Sequence, residues 1–195
     1  MKIEAATLES ESIKLAPLKT DYLEELWETA ANESLWLWTA NIIKSKEDLR
    51  RYIEIALDEF EQKLSLPFVT IEKSTNKIVG STRFGNIDAK NRKAEIGWTW
   101  INPEWQRTAV NTEAKLLMLT HAFESWNCVR VELKTDALNE KSRNAILRLG
   151  AIEEGILRCH QITDAGRFRD TVYFSIIDSE WQTVKANLND KMRSF

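Results

Sequence analysis

With 195 residues, 43% hydrophobic and 29% charged, the chain has the make-up of an ordinary globule, large enough to bury roughly 70% of its unfolded surface without a metal or disulfide staple. Its net charge of −3 offers neither the basic field that nucleic acid requires nor a polybasic patch for a membrane surface. No apolar run approaches the ~20 residues of a membrane helix, and the acidic start MKIEAATLES lacks the apolar core of a secretion signal, so Cys128 and Cys159, outside any CxxC spacing, are expected as free thiols in a reducing cytoplasm.

No repeat, low-complexity stretch or flexible linker interrupts the chain, and a single domain over 1–195 is expected. Residues 12–18 alternate Ile13 and Leu15 with Lys14 and Ala16 and read as a strand. Thr20–Asp21 are candidate caps for a helix that carries Leu23, Leu26, Trp27 and Ala30 at helical spacing. An aromatic connector, SLWLWTANII (34–43), leads to Ser45, which caps a helix over 46–63 with Leu49, Tyr52, Ile53, Ala56, Leu57 and Phe60 in one apolar stripe. Strands at 67–73 and 77–87 flank a turn at Ser74–Thr75–Asn76, and 93–102 completes a three-strand meander ended by Pro103. A helix over 109–126 follows, then a strand at 128–136 and a short helix at 139–150 stopped by Gly150. Two strands, 153–163 and 167–177, form a hairpin around Asp164–Ala165–Gly166, and 178–195 closes the chain as a surface helix capped by Asp178 or Ser179. The strand–helix–strand step from 93 to 136 implies a right-handed parallel crossover in an otherwise antiparallel sheet.

The stretch NPEWQRTAVNTEAKLLMLTHAFE (102–124) runs from a strand end into a helix. The first-turn amides of any helix lack intrahelical partners, and the helix dipole adds positive potential there, so together they suit an anion. Arg107 adds a cation, and Thr108 and Asn111 add side-chain donors. Glycine would let a phosphate come closest, and Ala109 costs only one methyl. On residue types alone the same stretch also reads as an amphipathic core helix.

Several strings, in this order, resemble the GNAT superfamily of N-acetyltransferases, and most nearly its RimJ/RimL-like branch: ATLESESIKLAPL, EIGWTWINPEWQ, QRTAVNTEAK, NEKSRNAILRLGA and GRFRDTVYFSIIDSEW. QRTAVN departs from the glycine-containing pyrophosphate loop of the family at Ala109 and Asn111. The resemblance covers nearly the whole chain. It implies an α/β (α+β) domain of the acyl-CoA N-acyltransferase type, with a mixed, mostly antiparallel sheet flanked by helices and a C-terminal surface helix. It implies acetyl-CoA as co-substrate, held by Gln106, Arg107, Thr108, Ala109, Val110, Asn111 and Asn139. Backbone amides near Trp100–Ile101, where two strands of the family open into a V, would polarise the thioester carbonyl.

Acetyl transfer needs a neutral amine, a polarised carbonyl and a thiolate able to leave. Deprotonating a lysine-like amine at pH 7 costs about 4–5 kcal/mol, and an N-terminal amine with a pKa of ~8 costs far less. Glu95 is the candidate base, its alternative being a solvated carboxylate at the strand end. Alternation would set Glu95, Gly97 and Thr99 on one face, with Ile96, Trp98 and Trp100 on the other. Ser142 would protonate the departing thiolate, as the resemblance implies. Asn139 and Ser142 also fit the cap and N3 positions of the helix they open. Cys159 and His160, adjacent on a strand, point to opposite faces and form no nucleophile pair, and two His and two Cys at these spacings make no zinc site. His121, in mid-helix, reads as a satisfied core or surface residue rather than a base. Trp36 and Trp38 either wall the acceptor or pack the first helix. Arg167 and Arg169 would face an acidic acceptor, the alternative being that Arg169–Asp170 is a local ion pair.

The reading is therefore direct transfer of acetyl, in a ternary complex, to a primary amine on a peptide N-terminus or a small molecule, by a monomer or homodimer that uses neither metal, nucleic acid nor membrane. The alternatives are a non-catalytic module that keeps the fold and binds coenzyme A, and a pure interaction module.

Overall fold

The computed structural model describes residues 1–193. Its strands are β1 (Leu8–Glu9), β2 (Ile13–Pro17), β3 (Leu66–Glu72), β4 (Lys77–Asp88), β5 (Lys93–Ile101), β6 (Arg130–Asp136), β7 (Ile152–Ile162) and β8 (Phe168–Ile177). Its helices are α1 (Leu23–Ala30), α2 (Lys46–Glu61), α3 (Ala109–Thr120), α4 (Glu140–Leu149) and α5 (Asp178–Met192). The strands form one mixed sheet in the order β1-β2-β3-β4-β5-β6-β8-β7, and β5–β6 is its parallel neighbour pair. That pair is joined through α3, as the strand–helix–strand spacing requires.

Helices cover the sheet unequally. On one face α3, α4 and α5 bury Met118, Leu119, Leu149, Trp181 and Leu188 against Leu15, Phe68, Phe84, Ile96, Val131 and Phe174. On the other, α1 and α2 bury Leu26, Leu49 and Ile53 against Val69, Ile71, Ile78 and Trp100. Each fully buried aliphatic or aromatic side chain contributes about 1.5–3 kcal/mol relative to leaving it in water.

Local chemistry sets most helix ends. The Ser45 hydroxyl oxygen accepts the Asp48 amide at 3.1 Å, and Asp48 Oδ2 accepts the Ser45 hydroxyl at 2.8 Å and the Lys44 amide at 3.1 Å. Gly150 ends α4 at φ +99°, where a side chain would be strained. Three expectations need correction. Thr20 and Asp21 do not cap α1; they lie within a 3₁₀ turn, Thr20–Tyr22, that precedes it. Helix α5 starts at Asp178 itself, and its carboxylate cap is Glu180, whose Oε2 accepts the Ile177 amide at 3.0 Å. Helix α3 ends at Thr120, and a π-helical turn over His121–Ser125 takes up the rest of the expected helix. Ser194 and Phe195, the end of the expected last helix, lie outside the described residues. No helix of the described residues is long and apolar enough to cross a membrane.

Candidate active site

Strands β5 and β6 pair at Lys93–Arg130, Ala94–Val131 and Glu95–Glu132, and there the ladder stops, although β5 continues to Ile101 and β6 to Asp136. The two strands splay beyond that point, and a bulge lies within the splayed stretch. Gly97 faces Arg83 on β4 and Trp100 faces Ser81, so Trp98 and Thr99 together stand opposite Thr82, with Trp98 at φ +49°. An extra residue of this kind bends and twists its strand. It also reverses the alternation, which corrects the expected faces. Thr99 joins Ile96 and Ile101 on the α3 side, where it meets Lys115, while Trp100 packs on the α1–α2 side with Glu95 and Gly97 behind the bulge.

Both faces grip this bulge. From α2, the Tyr52 hydroxyl donates to the Trp98 carbonyl at 3.3 Å. The Arg83 guanidinium lies 4.1 Å from the centre of the Trp98 ring and is anchored to Glu59 at 2.9 Å. Burial pushes the Tyr52 phenol above its ordinary pKa, so it remains a donor. From α3, Lys115 Nζ donates to Thr99 Oγ1 at 2.6 Å and to Thr82 Oγ1 at 3.0 Å.

Two helices begin at the mouth of the splay. A 3₁₀ turn, Pro103–Trp105, and the segment 106–108 carry the chain from β5 into α3. Asn102 caps the turn through the Glu104 amide at 3.0 Å, and Gln106 Nε2 donates to the Ile101 carbonyl at 3.0 Å. Arg107 is exposed and takes φ +65°, in the left-handed region that glycine usually supplies. Thr108 is the N-cap: its hydroxyl oxygen accepts the Val110 amide at 3.3 Å and its hydroxyl donates to the Trp105 carbonyl at 2.7 Å. The Val110 side chain is core, so of the expected loop residues Val110 brings neither a side chain nor a spare amide. Ala109 is half-buried, and Asn111 Oδ1 is buried without a hydrogen-bond partner among the described residues. Asn139 caps α4, its Oδ1 accepting the Ser142 amide at 3.1 Å, so the structural role foreseen for this pair is present. The Ser142 side chain is half-buried. Arg148 Nη2 donates to Thr112 Oγ1 at 3.1 Å and ties α4 to the first turns of α3. Trp100 and Ile101 are buried and paired to Ser81 and Gly80, so they face the splay through backbone groups alone.

On the face turned away from α3, Glu95 is not the solvated carboxylate of the alternative reading; it is 3% exposed. Its Oε2 accepts from Asn86 Nδ2 at 2.7 Å and pairs with Lys134 Nζ at 2.8 Å. Its Oε1 leans over Gly97, 3.1 Å from where a Cβ there would sit, so a side chain at 97 would press on the carboxylate and shift it by a few tenths of an ångström. Burial opposes the charge on Lys134, yet the Glu95 carboxylate and Tyr173 raise its pKa above the ordinary lysine value. Glu132, Lys134 and Asp136 share this face with their partners Ser175, Tyr173 and Thr171. Arg167 and Arg169 both turn to the fully buried Asp136, Arg169 Nε at 3.8 Å. The expected Arg169–Asp170 pair is absent among the described residues, because Asp170 Oδ1 accepts the Cys159 amide at 2.7 Å. The connector closes over this region. Asp164 Oδ2 accepts the Ile42 amide at 2.9 Å, and the Trp38 ring lies 5.7 Å from the Arg167 guanidinium. Trp36 instead packs α1, its indole donating to the Ala30 carbonyl at 2.7 Å.

His121 packs against Phe84 and Trp126, and burial lowers its pKa, as fits a packing residue. The Cys128 thiol is pushed up to about 11 by burial. The sequence reading missed Asn86, Lys134, Tyr52, Arg83 and Lys115. For Lys115 one signal was present: the positions three and four residues away are Asn111, Thr112, Met118 and Leu119, none of them a carboxylate.

Comparison with known proteins agrees with this geometry. The profile of the acetyltransferase (GNAT) domain matches residues 12–152. A Bacillus subtilis relative, carried under the provisional name ribosomal N-acetyltransferase YdaF, is 37% identical over 108 residues, 55% of this chain and 58% of the relative's length. The ribosomal-protein-serine acetyltransferase of Escherichia coli is 23% identical over 175 residues, 88% of this chain and 96% of its own length. Among solved structures, a GCN5-related N-acetyltransferase from Brucella melitensis superposes with TM-score 0.89 at 28% identity, over 97% of this chain and 86% of that one. Mycobacterium smegmatis RimJ, solved with CoA-disulfide, shares the fold at TM-score 0.81 and 22% identity, over 97% of this chain and 94% of that one.

Proposed function

This chain belongs to the GNAT family of acetyltransferases, and from that premise we propose that it transfers acetyl from acetyl-CoA to the α-amine of a protein N-terminus, directly and in a ternary complex. The observation that carries the reading is the splayed parallel pair β5–β6 with the start of α3 at its mouth. Clefts at the carboxyl ends of diverging parallel strands are where open sheets take ligands, and a helix start there suits a diphosphate. The residues present fit that group: Arg107 is exposed at the helix start, Thr108 and Gln106 fix the loop, and of the Asn111 amide it is Nδ2, the donor, that suits a diphosphate. Acetyl-CoA supplies an activated thioester and a stable thiol leaving group.

The remaining chemistry falls to this chain. Backbone amides of β5 beyond Gly97, freed from the ladder to β6, can donate to a carbonyl oxygen as charge develops on it. Glu95 Oε2 is held by two donors, which leaves Oε1 to take the amine proton, directly or through water. Ser142 offers a hydroxyl to the departing sulfur. An N-terminal amine, far easier to deprotonate than a lysine, suits so modest a base. The name of the Escherichia coli relative supports a protein acceptor for this chain.

The test pairs calorimetry with acetyl-CoA and a thiol-release assay on peptides with N-terminal serine or alanine, alongside small amines. Binding at micromolar level with release on the peptides is expected. Release only with small amines would move the acceptor class, binding without release would leave a coenzyme-binding module, and no binding would end the reading. Asn111→Asp gives an internal control. The helix dipole favours a carboxylate in the first turn while burial of the unpartnered Oδ1 position opposes it, so melting temperature is read alongside binding to keep loss of fold apart from loss of affinity. Facing a diphosphate the carboxylate should weaken acetyl-CoA binding by about 10–100-fold, since like charges near a protein surface repel by a few kcal/mol.

A further inference from the structure

Lys115 is 5% exposed and lies on the sheet-facing side of α3, yet no carboxylate pairs with it among the described residues. An isolated buried ammonium is costly, so such groups are commonly paired or neutral. Burial alone brings this amine down to about 7. It donates to Thr82 and Thr99, whose hydroxyls in turn reach Met118 and the Gly97 carbonyl, none of which titrates; the nearby carboxylate on α3, Glu113, is turned to Ser12 instead.

The hydrogen bonds form one directed set. Lys115 donates to both threonine hydroxyls, the Thr82 and Thr99 oxygens lie 2.7 Å apart, and Thr99 Oγ1 donates to the Gly97 carbonyl at 3.3 Å. Thr82 is the β4 residue that faces the bulge, Thr99 is within it, and Gly97 precedes it. One amine thus joins the two sides of the irregularity, on a helix whose first turn is the proposed diphosphate site. Tyr52 holds the same bulge from the opposite face.

We propose that Lys115 is a positioning residue for acetyl transfer: with Thr82 and Thr99 it fixes the Trp98–Thr99 bulge, and so sets the direction of the free β5 amides relative to the start of α3. This rests on the function proposed above. The lysine touches neither substrate; it acts through the strand.

The test uses the full chain with Lys115→Met and Thr99→Val, the second keeping the lysine and removing one hydroxyl. The readouts are kcat and acceptor KM with acetyl-CoA, melting temperature, and amide hydrogen exchange across residues 96–102. Both variants should lose kcat by about 10²-fold, the scale of a 1 Å misplacement, with acceptor KM held within a few-fold. Exchange should rise at 96–102 and stay unchanged in α5. The double variant should be little worse than either single one, since both break one network. Wild-type kcat in either folded variant, whatever its melting temperature, would overturn the proposal, as would unchanged exchange at 96–102. An inactive wild type would instead bring down the transferase reading, and the proposal with it; exchange would then still judge the clamp on its own.

Discussion

Glu95→Gln is expected to lower kcat about 10²–10⁴-fold at neutral pH, the usual contribution of a positioned general base, while leaving acetyl-CoA affinity within a few-fold of wild type. Glutamine keeps the shape and an acceptor oxygen for Asn86 and Lys134, so loss of basicity is the main change. The ion pair makes the argument sharper. Lys134 lies 2.8 Å from Glu95 Oε2 and, with Asn86, fixes where the carboxylate sits. Lys134→Met removes that cation and leaves a nearly buried carboxylate held by Asn86 alone. With one of its two anchors gone the carboxylate is less well placed, so kcat should fall about 10-fold or more while acetyl-CoA affinity holds within a few-fold of wild type. A purely structural Glu95 predicts something else: Glu95→Gln and Lys134→Met would both lower the melting temperature, and neither would lower kcat of the folded enzyme. Turnover of folded Glu95→Gln at the wild-type rate across pH 6–9 would remove Glu95 from the reaction.

Where the sequence could be read and where it could not follows from the range of the interactions involved. The start of α3 was legible because everything that defines it is local. A strand end, a proline, a threonine cap and unpaired first-turn amides all lie within ten residues. The Ser45 and Asn139 caps and the Gly150 stop were legible for the same reason. The faces of β5 were not, because alternation assumes a regular ladder. The bulge at Trp98–Thr99 exists through long-range partners: Thr82 and Arg83 from another strand, Tyr52 from α2 and Lys115 from α3. Glu95 illustrates both sides. Its place on a strand could be read from the local pattern, and its candidacy as a base came from the family resemblance, whereas its burial and its pairing with Lys134, thirty-nine positions away in the chain, could not be read. Asp136 is the same case: the arginines near it in space compete with a sequence neighbour, Asp170, which is spent on the backbone of β7. What the sequence could not show is thus mostly tertiary pairing between strands and helices far apart in the chain, on both faces of the sheet.

A second large effect concerns stability. Wild-type stability, minus that of Lys115→Met, is expected to rise with pH by about 1.4 kcal/mol per unit across roughly pH 7–9. In the folded chain burial holds the Lys115 amine at about 7, below the ordinary 10.5. Between those values the unfolded chain carries one more proton than the folded one, so raising the pH favours folding. Below the folded value both states are charged and the contribution is flat; above the unfolded value both are neutral and it is complete. Cys128 acts in the opposite direction at higher pH, since burial lifts its thiol from 9.0 to about 11, and pH 9 is therefore the useful upper limit. Subtracting the methionine variant, which keeps Cys128, cancels that term and every other shared group. Denaturant unfolding of both proteins at half-unit steps from pH 6.5 to 9 measures the difference directly. A slope near one proton would mean that the clamp beneath the bulge is a neutral amine above pH 7 and an isolated buried cation below it. Parallel curves would mean that Lys115 keeps its charge in both states, which would require water or an anion beside it that Thr82 and Thr99 alone do not supply.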